Sequence, residues 1–102
     1  MIDGILLFGA GFDMGNEKDR VLAELRQVPG VGRVLSELMY NVGVRGLEDL
    51  KGADAEELYE RVCDYSGGRV DRCVLYVFRC AVYFASNEDY EAEKLNWWYW
   101  KD

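Results

Sequence analysis

The chain contains a single proline, Pro29, set in the segment Val28-Pro29-Gly30-Val31-Gly32. No other feature constrains the fold as strongly. A residue that precedes proline is driven out of the helical region, so a helix arriving at Val28 must stop there. Val21, Leu22, Leu25 and Val28 stand at helical spacing before the turn. Val34, Leu35, Leu38, Met39 and Val42 do so after it. Each set forms one apolar stripe of the kind a helix buries. Two amphipathic helices joined by a tight turn are expected. Asn16 is the expected N-cap of the first, with Glu17 and Asp19 in its first turn, and Gly43 the expected stop of the second.

The same logic extends downstream. Leu47 and Leu50 fit a short helical turn. Asp54 and Glu57 have capping-box spacing, with aspartate where Ser or Thr is usual. Leu58, Val62 and Tyr65 form the next stripe, and Ser66-Gly67-Gly68 breaks it. The stretch 70–85 is rich in Val, Tyr and Phe, which favours a strand by propensity. Its length favours a buried helix. The remainder, 86–102, is acidic first (Glu88, Asp89, Glu91, Glu93) and aromatic afterwards (Trp97, Trp98, Tyr99, Trp100). The expectation is one all-α domain of four to five helices over 16–102, with the last long helix through the middle of the core. Residues 1–15 form an apolar, glycine-rich arm whose order is left open. Ile5-Leu6-Leu7-Phe8 has strand character, and Gly9-Ala10-Gly11 invites a dinucleotide-binding assignment. That assignment fails, because the third glycine, Gly15, is one place late and no βαβ unit follows.

Composition removes several function classes. With 102 residues the chain makes one domain. A formal net charge of -7 argues against coating nucleic acid by bulk charge. Any such contact must be local and assisted by backbone donors. The absence of histidine removes Ser-His and Cys-His nucleophile pairs. No P-loop, nucleophile elbow or other catalytic constellation is present, so no enzyme and no cofactor are expected. Three cysteines, Cys63, Cys73 and Cys80, give no complete disulfide set and suggest a reducing, cytoplasmic setting. They could form a three-thiolate metal site, but small buried hydrophobes are the favoured reading. The longest apolar run, 73–85, falls short of the roughly 17–25 residues of a membrane span. The N-terminal stretch lacks the basic region of a secretory signal.

The turn itself carries the functional argument. Leu25-Arg26-Gln27-Val28-Pro29-Gly30-Val31-Gly32-Arg33-Val34-Leu35-Ser36 resembles the helix-hairpin-helix family. The pattern is an apolar residue, a P-G-V-G hairpin and a second helix with a small residue four places after the second glycine. Ser36 takes that small position, where alanine is usual. The resemblance implies binding to the DNA backbone through hairpin amides, sometimes with a bound monovalent cation. The physics agrees: a helix N-terminus offers N–H groups without intrahelical partners, and these with the helix dipole can hold a phosphate. Gly30, Gly32 and Arg33 are the expected primary contacts, with Val31 shaping the hairpin.

Further segments narrow the resemblance. Gly43-Val44-Arg45-Gly46-Leu47-Glu48-Asp49-Leu50 and Asp54-Ala55-Glu56-Glu57-Leu58-Tyr59 look like the continuation seen in helix-hairpin-helix proteins. With 70–85 and the Trp-rich Lys-Asp end, residues 19–102 resemble a small bacterial family known as "pathogenicity locus" or, loosely, mitomycin-resistance protein. That label implies an architecture and no reaction. The element order also suggests a doubled unit. Gly67-Gly68-Arg69 would then be a degenerate second hairpin, with Arg69 and Arg72 as further contacts mirroring Arg33. The plainer alternative is an ordinary interhelix loop. Arg72 and Arg79 have two destinies, pairing with Glu56, Glu57 or Glu60 or meeting phosphate, and the acid excess favours pairing. Trp97, Trp98, Tyr99 and Trp100 are expected to pack against the domain and close the core; the alternatives are stacking on unpaired bases or, with the acidic segment, a protein-docking surface, which would use Trp97, Trp98 and Trp100.

Overall fold

A computed structural model describes residues 10–102, with side chains from Glu17 onward. The first nine residues of the expected arm, including Ile5 to Phe8 and Gly9, lie outside the described residues. The elements run α1 (Ala10–Leu25), α2 (Arg33–Asn41), a 3₁₀ turn (Leu47–Leu50), α3 (Ala55–Ser66) and α4 (Cys73–Ser86). Two further 3₁₀ turns follow, Ala92–Leu95 and Trp97–Trp100. The described chain is all-helical, as expected, and holds no strand.

Helix α1 begins at Ala10, six residues before Asn16, so Asn16 is an interior residue and not its cap. Glycine costs about 1 kcal/mol against alanine inside a helix. Gly11 and Gly15 therefore read as a break, and the fold overrides that local preference. Helix α2 closes as its glycine predicts. Gly43 has φ +108°, the Gly43 N–H donates to the Tyr40 carbonyl (3.1 Å), and the Val44 N–H donates to that of Met39 (2.9 Å). Helix α3 ends the same way at Gly67, φ +81°.

The expected start of α3 is half right in its chemistry. Asp54 caps it, its carboxylate accepting from the Glu56 (2.9 Å) and Glu57 (3.3 Å) N–H groups. The return bond of a capping box is absent among the described residues, and Glu57 pairs instead with Arg61 (3.3 Å). Helix α4 starts at Cys73 rather than at residue 70. It is a helix despite its β-prone composition, because it is buried along its length.

The core is built on that helix. Leu75, Val77, Phe78, Cys80 and Ala81 of α4 are buried, and around them lie Leu58, Tyr59 and Val62 of α3, Leu50 of the first 3₁₀ turn, and Leu25, Val28 and Met39 from the first two helices. Helix α4 packs against α3, the Leu47–Leu50 turn and both C-terminal turns, while α1 packs against α2. Ser36 is fully buried, as the small position requires, and its hydroxyl donates back to the Arg33 carbonyl (2.9 Å).

Two polar ties fix the connections. Glu24 of α1 accepts from the Leu47 N–H (2.8 Å), placing a carboxylate at the start of a 3₁₀ turn. The Tyr59 hydroxyl donates to the Val70 carbonyl (2.7 Å) and closes the link from α3 to α4. The Asp54 cap gives a direct test: Asp54→Ala is expected to lower stability by about 1 kcal/mol, seen as a lower urea midpoint with an unchanged slope.

Candidate functional site

The turn between α1 and α2 is tightly specified. The Gln27 N–H donates to the Glu24 carbonyl and the Val28 N–H to that of Leu25, both at 3.1 Å, so the end of α1 tightens into 3₁₀ spacing. The Val31 N–H donates to the Val28 carbonyl (3.0 Å), closing the turn across Pro29 and Gly30. Gly30 has φ +91°, a conformation closed in practice to residues with a Cβ. Val28 and Val31 are buried and pin the base of the turn, while Gly30, Gly32 and Arg33 face solvent. The two valines explain why the glycines sit at the tip.

Helix α2 opens directly from this tip. Gly32 is its N-cap, and the Gly32 carbonyl accepts from the Ser36 N–H (3.0 Å). No side chain caps the helix and its first turn holds no acid. The N–H groups of Arg33, Val34 and Leu35 find no acceptor among the described residues. Helix α3 has its Asp54 cap. At α4, Asp71 accepts from the Cys73 N–H (3.0 Å), and that bond holds the Asp71 carboxyl below its usual range.

Gly32 differs in kind from Gly30. Its φ of -103° is open to any residue, and a Cβ built on it would meet nothing within 4 Å. Neither backbone conformation nor internal packing calls for glycine there. Ser, Thr, Asp or Asn would cap α2 better. What glycine does provide is open space above the first amides of α2.

Two cations without a carboxylate partner among the described residues stand at the same place. Arg69 pairs with Glu60 (3.0 Å), Arg72 with Asp102 (2.6 Å), and Arg79 with both Glu56 and Asp102 (each 2.9 Å). Lys51, Arg61 and Lys94 are paired as well. Arg20, Arg26, Arg33 and Arg45 have no carboxylate partner among the described residues, and of these Arg26 and Arg33 flank the turn and are exposed. Of the residues singled out from sequence, Gly30, Val31, Gly32 and Arg33 thus form one continuous feature. Arg69 and Arg72 lie on the link from α3 to α4, each engaged by a carboxylate. That link differs from the first turn, because Gly67 terminates α3 and Asp71 covers the start of α4.

Sequence reasoning passed over Arg26, whose one signal was its place in the turn. It favoured packing of the whole aromatic cluster at 97–100, which the structure shows for Trp97 and Trp100 and not for Trp98 and Tyr99. Residues 92–102 form a strap across α4, and Trp97 within it lies on the hairpin side. A Cβ on Gly30 would meet Trp97 Cδ1 at 3.4 Å, so the indole lies against the turn. Trp100 is partly buried, packs on Tyr83 with ring centroids 5.6 Å apart, and donates from its indole N–H to the Lys94 carbonyl (2.9 Å). Trp98 and Tyr99 remain exposed.

Asp102 locks the strap. Its carboxylate accepts from Arg72, Arg79 and the Tyr76 hydroxyl, and Arg79 also donates to the Trp100 carbonyl (2.8 Å). Hydrogen bonds from Arg72 and Arg79 hold the Asp102 carboxyl down at about 2. The cysteines are free thiols: Cys63 and Cys80 are buried and Cys73 partly so. Burial pushes the Cys80 thiol up. Among the described residues no cluster of Cys, Asp or Glu could hold a metal ion, and no helix is long and apolar enough to cross a membrane.

The pathogenicity-locus family matches residues 18–102, and the chain belongs to that family. No curated protein and no solved structure matches it.

The Asp102 contacts predict a pH response. The folded-state carboxyl lies below its unfolded value of 3.8, so its contribution is complete above that value and is lost as pH falls through about 2. Tryptophan emission from the strap is expected to shift toward that of exposed indole between about pH 4 and pH 2. Asp102→Asn should show the shifted emission already at neutral pH and lose this component of the titration. Identical titrations of the two proteins would show that Asp102 does not hold the strap.

Proposed function

We propose that the chain is a helix-hairpin-helix protein that binds nucleic-acid backbone without reading sequence and without catalysing a reaction. The hairpin from Val28 to Gly32 supplies the site. A phosphate sits over Gly32 and accepts from the first amides of α2, with Arg33 as the adjacent cation and Arg26 behind the turn. The observation that carries this reading is Gly32, a glycine that neither φ nor packing requires. It leaves open the space that an approaching phosphate needs. The net charge is no obstacle to a contact of this kind, because backbone donors and two unpaired arginines act locally while the acidic excess is spread elsewhere. Arg69 and Arg72 are weaker candidates, since each would first have to leave a carboxylate.

A second reading is a protein-docking module. The exposure of Trp98 and Tyr99 beside the acidic stretch 88–93 favours it.

Fluorescence anisotropy with labelled DNA separates the two. With two or three phosphates engaged, affinity should fall roughly ten- to fortyfold between 50 and 200 mM salt. Arg33→Glu should remove binding. Gly32→Asp is the sharper variant. Its carboxylate should cap α2 and keep stability within a few tenths of a kcal/mol of the parent or above it, while binding disappears. A folded protein that binds no DNA at low salt would leave the docking reading.

A further inference from the structure

We infer that Trp98 stacks on an unpaired base, which makes single-stranded nucleic acid the preferred ligand. This rests on the backbone-binding reading above and narrows it. Four aromatic residues stand together at 97–100, and the fold treats them differently. Trp97 lies against Gly30, and Trp100 is held by Tyr83 and the Lys94 carbonyl. Trp98 stands edge-on to Trp97, with ring centroids 5.7 Å apart and planes at 83°, and is 55% exposed. Its indole N–H has no acceptor among the described residues. It is therefore one ring removed from the turn and takes no part in closing the core.

The surroundings indicate the occupant. Arg26 and Arg33 belong to the turn on which Trp97 rests, and neither is neutralised by a carboxylate among the described residues. Val34, next to Arg33, is 71% exposed and adds apolar surface beside that charge. Of the acids that precede the aromatic run, Glu91 is engaged by Lys94 (3.3 Å), while Glu88, Asp89 and Glu93 are exposed without a cation partner among the described residues. A surface with unneutralised arginines and an exposed indole suits a ligand that carries anionic and flat aromatic groups in alternation. A nucleic-acid strand has that chemistry. In a duplex the base faces are stacked on one another and closed to an indole. In a single strand they are available, and stacking on an aromatic side chain is insensitive to sequence. An apolar protein partner would leave Arg26 and Arg33 without an anionic counterpart.

The test measures the full chain against an oligothymidine of roughly 16 nucleotides and a blunt duplex of the same length, at low salt. The parent protein, Trp98→Ala, Trp98→Phe and Arg33→Glu are compared. Trp98 is exposed, so its variants are expected to fold, and circular dichroism checks that they do. The parent is expected to bind the single strand about tenfold more tightly than the duplex. Trp98→Ala should lower single-strand affinity about tenfold and change duplex affinity by less than about twofold, and Trp98→Phe should keep most of the preference. Single-strand affinity unchanged by Trp98→Ala, or both affinities lowered equally, overturns the inference and leaves the backbone reading standing. A parent protein that binds neither DNA, or that binds both undiminished by Arg33→Glu, overturns the hairpin reading and this inference with it.

Discussion

Burial of α4 is the constraint on which the rest of the structure depends. Its inner residues, from Leu75 to Ala85, include several that are wholly removed from solvent, and no single neighbour in this small domain could hide them. Helix α3 covers one side, the Leu47–Leu50 turn another, and the C-terminal strap a third. The hydrophobic gain grows with apolar area removed from water, so each covering element is held by the same central helix. The α1–α2 hairpin sits at the edge of this arrangement. Leu25, Val28, Val31 and Met39 reach the core, while Gly30, Gly32 and Arg33 at the tip stay free to meet something outside.

An acidic protein with a local basic feature is a question of distribution rather than of totals. The carboxylates of α3 and the strap engage Arg61, Arg69, Arg72 and Arg79, and so remove the positive charge of that region from outside view. Such exposed pairs contribute little to stability. Their effect on the surface potential is larger, since two of the arginines without a carboxylate partner among the described residues, Arg26 and Arg33, stand beside the hairpin. Helix ends tell the same story. Two of them are covered by aspartates, and the one that follows the hairpin is covered by glycine.

Much of this was legible in the sequence, and the parts that were share a cause. Pro29, Gly43 and Gly67 act on their own backbone, so their consequences can be read locally. Asp54 acts two and three residues away and was legible too. The helical identity of α4 followed from its length against its β-prone composition. The start of α1 was misplaced because Gly11 and Gly15 weaken a helix locally, while tertiary context decides whether it continues. The contrast between the two turns was hidden for a related reason. Gly67-Gly68 resembles the first hairpin in composition, yet Asp71 occupies the amide that a ligand would use. The Trp97–Gly30 and Asp102–Arg79 contacts join residues distant in sequence, and no periodicity announces such pairs. The fate of the tryptophans could therefore be posed from sequence but not resolved.

The seating of Trp97 on Gly30 also bears on the order in which the molecule assembles. Gly30 and Trp97 lie at opposite ends of the described chain, and closing so long a loop is among the slower steps of folding. As the chain leaves the ribosome, α1, the turn and α2 are available early, with their local contacts already in reach. The indole that backs the turn follows α4 in the chain and so arrives after that helix. During synthesis the hairpin thus exists first without its backing, and it acquires its mature surface in the same late event that completes the core.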